Sequence, residues 1–139
     1  MIFILEINLS NKVALVTGAK KGIGKAAAKK LALADCTVVV NDISDPENTV
    51  KEINDKGGEA IGIKADVSDF EEVKDMITNI TKKYGKIDIL VNNAGIRHPI
   101  PFDELTPEEW DRVIRNDLNS VYNCSKSVFP IMKRNNYGK

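Results

Sequence analysis

Histidine occurs once in this 139-residue chain and cysteine twice. Neither Cys36 nor Cys124 lies in a C-x-x-C pair or beside the lone His98, so the clustered ligand sets of zinc sites are excluded. Two cysteines so widely spaced read as small buried hydrophobes of a reducing compartment. An excess of charge of either sign is also missing: Lys plus Arg and Asp plus Glu number 20 each. That balance gives no general reason to expect nucleic acid or an acidic membrane surface as a partner. No apolar run approaches the ~18 residues of a membrane span. The opening Met1-Ile2-Phe3-Ile4-Leu5-Glu6-Ile7 is apolar but lacks a basic start and carries Glu6 early, unlike a secretory signal. Internal repeats and low-complexity segments are absent as well. The cytoplasm is the expected location.

What is present is ordinary globular material, 42% hydrophobic and 29% charged. The length suits a single domain over residues 1–139. Strand-like apolar runs alternate with helix-like runs. Val13-Ala14-Leu15-Val16-Thr17 and Thr37-Val38-Val39-Val40-Asn41 are near-continuous apolar runs, as strands buried on both faces require. Ile23, Ala26, Ala27, Leu31 and Ala34 recur between them at helical spacing. A second helix is expected from Asp45-Pro46, with Asp as cap and Pro at the first position, ending at Gly57-Gly58. Ala60 to Lys64 reads as a third strand. Ser68-Asp69-Phe70-Glu71 reads as a capping box opening a helix with Val73, Met76, Ile77 and Ile80 on one face. Gly85 stops it, and Ile87 to Val91 reads as a fourth strand. Beyond a proline-containing loop, Thr106-Pro107-Glu108-Glu109 caps a long helix whose apolar stripe is Trp110, Val113, Ile114, Leu118, Val121, Val128 and Met132. Four successive βα units predict an α/β fold of three α/β/α layers: a parallel sheet with right-handed crossovers and helices on both faces.

The turn Thr17-Gly18-Ala19-Lys20-Lys21-Gly22-Ile23-Gly24 joins the first strand to the first helix. Glycines there let the backbone turn sharply and approach a pyrophosphate, while the helix behind offers free N–H groups and a positive dipole end. The spacing is G-x-x-x-G-x-G, and a glycine trio alone is weak evidence. Its setting strengthens it. Asp42, at the end of the second strand and 18 residues after Gly24, can accept hydrogen bonds from an adenosine ribose. The same carboxylate would repel a 2′-phosphate, which favours NAD over NADP. Lys21, beside Gly22, is the opposing signal.

With these pieces in place the chain resembles the short-chain dehydrogenase/reductase family. The matching residues are Thr17-Gly18-x-x-x-Gly22-Ile23-Gly24, Asp66-Val67 and the run Tyr84-Gly85-Lys86-Ile87-Asp88-Ile89-Leu90-Val91-Asn92-Asn93-Ala94-Gly95. Within the family it looks most like the 3-oxoacyl-carrier-protein reductase and secondary-alcohol dehydrogenase group. The resemblance implies a Rossmann-type sheet with strand order 3-2-1-4, lacking the C-terminal strands of the full family fold. It implies that Gly18, Gly22, Ile23 and Gly24 lie under the pyrophosphate. Asp66 would meet the adenine and Val67 would flank it. Asn93, Ala94 and Gly95 would line the cofactor, with Asn92 helping to hold the central sheet.

The family's chemistry needs a Tyr with a Lys four residues later and a Ser about a dozen residues before the Tyr; the Lys lowers the Tyr pKa. In relatives these come from the fifth strand and the helix after it, and this chain reaches only Tyr137-Gly138-Lys139, where that strand would begin. Tyr122 and Lys126 share the Tyr-x-x-x-Lys spacing, but they match the long helix before the fifth strand and read as packing or surface residues. Aligning Leu118-Asn119-Ser120-Val121-Tyr122 with the family puts Asp117 where relatives carry an Asn of a proton relay. Asn116 lies one residue earlier, about 100° round the helix. His98 reads as an exposed loop residue.

The expected function is therefore an NAD(P)-dependent oxidoreductase by descent, inactive alone and acting on a carbonyl or alcohol substrate only if Ser, Tyr and Lys are supplied elsewhere. A non-catalytic dinucleotide-binding module or an interaction subunit is the alternative. An open edge on the fourth strand and an unpartnered stripe on the last helix also predict self-association.

Overall fold

A computed structural model describes residues 7–97 and 99–139. Its sheet has four parallel strands in the order β3-β2-β1-β4: β1 Val13–Val16, β2 Thr37–Asp42, β3 Glu59–Lys64 and β4 Ile89–Val91. Val13 pairs with Thr37 and Val16 with Val40 on one side of β1; Ala14 pairs with Ile89 and Val16 with Val91 on the other. The expected strand order is the observed one.

Alternation along the two central strands divides the core. Val13, Leu15 and Val39 face α3 (Phe70–Tyr84) and α5 (Ser120–Arg134), packing on Val73, Met76, Ile80, Cys124 and Val128. Ala14, Val16, Val38 and Val40 face α1 (Gly22–Leu33) and α2 (Glu47–Asn54), packing on Ala28, Ala32, Val50 and Ile53. Leu15, Val16, Val38, Val39 and Val40 are fully buried, each side chain stabilising the fold by about 1.5–3 kcal/mol through removal from water. The alanines of α1 let that helix lie close to the sheet, which brings its N-terminus to the end of β1.

Two helix starts differ from expectation. At α3 the cap is Asp69, not Ser68: its carboxylate accepts the N–H groups of Glu71 and Glu72 at 2.9 and 3.1 Å. The Glu72 carboxylate reaches back to the N–H of Asp66 at 2.8 Å. A carboxylate one residue later serves the first turn better because its charge also meets the helix dipole. At α2 the Asp45 carboxylate does accept the N–H of Glu47 at 3.0 Å, but Pro46 sits just outside the helix. The Thr106–Glu109 capping box forms, with Pro107 opening α4 (Pro107–Val113).

The long helix is not continuous. A π-helical stretch, Ile114–Asn119, separates α4 from α5. Its wider turn re-phases the chain, so the stripe read by straight helical spacing breaks up. Trp110, Leu118 and Val121 stay exposed, together with Tyr122 and Phe129. The buried face of α5 is instead Ser120, Asn123, Cys124, Val128 and Ile131. The edge of β4 is likewise not bare. Lys139 donates its N–H to the Asp88 carbonyl at 3.0 Å and accepts from the Leu90 N–H at 2.9 Å.

Burial pushes the Cys36 thiol up to about 11, with the nearby Asp88 carboxylate adding to the effect, and burial alone takes Cys124 to about 11. Both stay protonated and unreactive in the folded protein. Among the described residues no helix is long and apolar enough to cross a membrane, and no cluster of three metal-ligating side chains occurs.

Candidate functional site

The C-terminal ends of the four strands open into a cleft of about 540 Å³. Parallel strands followed by helices place their connecting loops on this one end, where open α/β sheets take ligands. The β1–α1 turn forms one wall, the ends of β2 and β3 a second, and the segment after β4 the floor.

The glycines of the turn differ in what they do. A Cβ on Gly18 (φ 61°) would stand 2.8 Å from the Ala94 Cα, and one on Gly24 would stand 2.4 Å from the Asn93 amide nitrogen and 2.6 Å from the Gly18 carbonyl oxygen. Those two positions serve the close approach of α1 to the β4 end. Gly22 (φ 58°) has nothing within 4 Å of the same point and lines the cleft. Its freedom from a side chain leaves room on the cleft side. The N-terminus of α1 has no side-chain cap and no acidic residue in its first turn. Its free N–H groups and dipole therefore remain available to an anion. Ile23 beside them is 83% exposed at the cleft wall.

Thr17 is buried and does not line the cleft; it positions what does. Its Oγ1 accepts the N–H groups of both Asn93 and Ala94 at 3.0 Å, and donates to the Val91 carbonyl at 3.3 Å. Asn93 returns the tie, its side-chain amide donating to the Thr17 and Gly18 carbonyls at 2.9 and 3.0 Å. So Asn93, expected to line the cofactor, also locks β4 to the turn. Asn92 reaches instead to the Ser125 hydroxyl of α5 at 3.2 Å.

Asp42, Asp66 and Val67 come together on the second wall. The Asp42 carboxylate accepts the Lys20 N–H at 3.2 Å and the Ser44 N–H and hydroxyl at 3.1 and 2.9 Å. Asp66 accepts the Ser68 N–H at 2.9 Å. Lys21 and Lys20 are exposed and line the opposite rim. Gly95 lies at the floor, where a Cβ would stand 3.2 Å from an Asp117 carboxylate oxygen. Asp117, within the π-helical stretch, accepts the Ile96 N–H at 2.8 Å and so holds the segment after Gly95. It does not line the cleft; Asn116 does, its amide donating to the Arg112 carbonyl at 2.8 Å.

Two site residues escaped the sequence reading. Asn41 is buried at the end of β2, and its amide nitrogen donates to the Ile63 and Ala65 carbonyls at 3.2 and 3.1 Å. Its side-chain oxygen is buried with no hydrogen-bond partner, on a residue of the cleft wall. Asn123 of α5 donates to the Val67 and Ser68 carbonyls at 3.1 and 3.2 Å, tying that helix to the loop that carries Asp66. Only its polar character on an apolar helix face could have marked it. Tyr122 and Lys126 bond to each other at 2.7 Å on the exposed surface of α5 and are not part of the cleft. His98 lies outside the described residues.

The family model for short chain dehydrogenases matches residues 12–139. The 3-oxoacyl-(acyl-carrier-protein) reductase FabG of Staphylococcus epidermidis is 42% identical over 131 residues, which are 92% of this chain and 54% of that protein. The uncharacterized oxidoreductase YxjF of Bacillus subtilis is 37% identical over 133 residues, 94% of this chain and 52% of that one. A crystal structure of a putative short-chain alcohol dehydrogenase from Sinorhizobium meliloti superposes with a TM-score of 0.89 at 32% identity, covering 96% of this chain and 54% of that one. The chain spans about half the length of the relatives it matches.

Proposed function

Because this chain belongs to the short-chain dehydrogenase family, we propose that its cleft binds a nicotinamide dinucleotide and forms the cofactor half of an oxidoreductase acting on a ketone or secondary alcohol. One observation carries the reading. The uncapped N-terminus of α1, with the open side of Gly22, shares a single cleft with the Asp42 and Asp66 carboxylates. An anion-accepting end and two acceptors for sugar and base hydroxyl or amino groups suit the two ends of an adenosine diphosphate.

In this reading the turn from Thr17 to Gly24 cradles the pyrophosphate, with Lys21 at its rim. Asp42 takes the ribose diol, and NAD is favoured over NADP. Asp66 meets the adenine edge and Val67 its face. Asn93, Ala94 and Gly95 carry the nicotinamide end, and Asp117 holds the backbone beyond them. A nicotinamide bound there would supply the hydride for ketone reduction or accept it from a secondary alcohol. Among the described residues no group at the floor resembles the Tyr–Lys pair that would move the proton; Tyr122 and Lys126 stand on the outer surface. The substrate of the FabG relative is a 3-oxoacyl group on acyl-carrier protein, and that class is the first to test here. The buried unpaired thiols fit the reducing cytoplasm.

Titration calorimetry of the chain with NAD is expected to give a Kd in about the 1 μM–1 mM range typical of enzyme Michaelis constants. Assays with 3-oxoacyl thioesters and secondary alcohols are expected to show no turnover by the chain alone. Absence of binding would overturn the cofactor assignment; turnover would overturn the assignment of the proton donor to residues outside this chain.

Self-association follows from the uncovered side chains of Leu118, Val121, Tyr122 and Phe129. Light scattering is expected to show a mass above 15.4 kDa that falls on dilution. A dilution-independent monomer contradicts it.

A further inference from the structure

A second cleft, of about 280 Å³, opens at the other end of the sheet, between the C-terminal ends of α1 and α2. Asp35 and Gly58 carry the chain from those helices into β2 and β3 there. The wall is apolar: Ala32 and Ile53 are buried, and Leu33 of α1 is 68% exposed. Four charged side chains line it, and they divide into two kinds. Lys29 and Glu52 occupy each other, the Lys29 ammonium donating to one Glu52 oxygen at 2.5 Å while Lys25 of α1 donates to the other at 2.6 Å. The hydrogen bonds from Lys25 and Lys29 hold the Glu52 carboxyl down to about 2. Asp35 and Lys56 differ from that pair. Both are exposed, and neither side chain has a hydrogen-bond or ion-pair partner among the described residues, the other included.

We propose that this second cleft binds a small apolar zwitterion, a free α-amino acid of the leucine type, with its ammonium at Asp35, its carboxylate at Lys56 and its side chain on the wall of Ala32, Leu33 and Ile53. The proposal does not depend on the dinucleotide reading of the first cleft. Two opposite charges that line one cleft without meeting leave a gap that a molecule carrying both signs can bridge. A simple acid would satisfy Lys56 but face the Asp35 carboxylate, and a simple amine would satisfy Asp35 but face the Lys56 ammonium, so like-charge repulsion disfavours both. Lys29 and Glu52 cannot take the same part, because each already holds an opposite charge. The helices set the polarity. α1 and α2 both end at this cleft, and their C-terminal dipole ends favour the cationic group on the side of Asp35, which directly follows α1. Size agrees as well: the volume lies just below the range of about 300–1,000 Å³ that suits drug-sized ligands, which leaves room for a smaller molecule.

The test is titration of the full chain with L-leucine, followed by the backbone amide signals in NMR. Signals of residues 32–35 and 52–58 are expected to move together, with a Kd of about 0.1–10 mM, weak because both charged ends remain partly in water. Three analogues each remove one contact: isocaproate lacks the ammonium, isoamylamine lacks the carboxylate and glycine lacks the apolar chain. Each is expected to bind roughly tenfold more weakly than leucine. Asp35→Asn should lower leucine affinity to that of isocaproate and leave isoamylamine without its partner. Lys56→Gln should lower leucine affinity to that of isoamylamine. Both positions are exposed, and asparagine accepts the left-handed backbone of Asp35 (φ 64°), so the fold is expected to survive either change. The proposal is overturned if leucine moves no signal of these two segments up to its solubility limit. It is overturned equally if either singly charged analogue binds as well as leucine, or if leucine affinity ignores both substitutions.

Discussion

Alanine at Gly24 is expected to cost the folded chain about 2–4 kcal/mol, the range of a forced clash in a packed region combined with a broken buried polar contact. The added Cβ would stand 2.4 Å from the Asn93 amide nitrogen, 2.6 Å from the Gly18 carbonyl oxygen and 3.0 Å from the Ala19 Cα. Two of those atoms are backbone. The third belongs to a side chain held by hydrogen bonds to the Thr17 and Gly18 carbonyls, so it cannot swing aside without giving up both. The strain therefore spreads to the β1–α1 turn and the end of β4 together. Gly22→Ala is the control within the same turn. Its Cβ meets nothing within 4 Å, and only the positive φ of 58° opposes it, at roughly 1–2 kcal/mol. Urea unfolding followed by circular dichroism should place the Gly24→Ala midpoint well below that of Gly22→Ala, with similar slopes. Calorimetry should show dinucleotide binding impaired in both, through a displaced turn in the first and an obstructed cleft in the second. A Gly24→Ala chain with the wild-type midpoint would show that α1 can back away freely, and the account of the close approach would fail.

The architecture was legible because burial on two faces writes itself into strands. Val13–Val16 and Val38–Val40 have no polar residue to hide, so the central strands and their parallel pairing followed from composition and from the helical runs between them. The strand order came from the family resemblance, not from any local feature of the four runs. Cap residues were legible to within one position. Asp69 outcompeted Ser68 because two N–H groups can share one carboxylate oxygen, a matter of geometry that spelling does not reveal. The long helix misled for a different reason. A periodicity argument assumes a constant turn, and the π-helical stretch at Ile114–Asn119 changes the turn in mid-run. Leu118 and Val121 then point away from the core that their spacing had assigned them, and polar Asn123 takes a buried place.

The cleft was legible in outline and opaque in its wiring. Gly18, Gly22, Asp42, Asp66 and Asn93 were all singled out by type and spacing, and they do share one cleft. What spacing could not show is that they are bonded to different neighbours. Asp42 takes hydrogen bonds from Lys20 and Ser44, while Asn93 is a clasp on Gly18. Asn41 stood unnoticed inside a strand, because one polar residue in a valine run looks like a strand end. Its unpartnered oxygen is visible only once the surrounding carbonyls are in place. Asp117 lies where an amide would be expected in the family, and its carboxylate holds the Ile96 N–H from outside the cleft.

Thr17→Val is expected to lower stability by about 2–4 kcal/mol with almost no change of shape. The hydroxyl at this fully enclosed position accepts two backbone N–H groups, those of Asn93 and Ala94, each at 3.0 Å. Valine fills the same volume, so no cavity arises and the loss is that of the acceptor for two N–H groups together with the longer bond donated to the Val91 carbonyl. Two N–H groups would then lie at the cleft floor without a partner, each costing about 1–3 kcal/mol if water cannot reach it. Because the floor borders an open cleft, part of that cost is expected to be relieved by the segment moving outward. This ties stability to function: the relief displaces Asn93 and Ala94, so dinucleotide affinity falls as well. Thr17→Ser separates the terms, since it keeps the acceptor and gives up one methyl, at about 1 kcal/mol. Hydrogen exchange at the amides of residues 93 and 94 reads the mechanism directly. Both should exchange faster in Thr17→Val and remain protected in Thr17→Ser. Equal protection in the two variants would mean that another acceptor holds the floor, and the role given to this hydroxyl would be wrong.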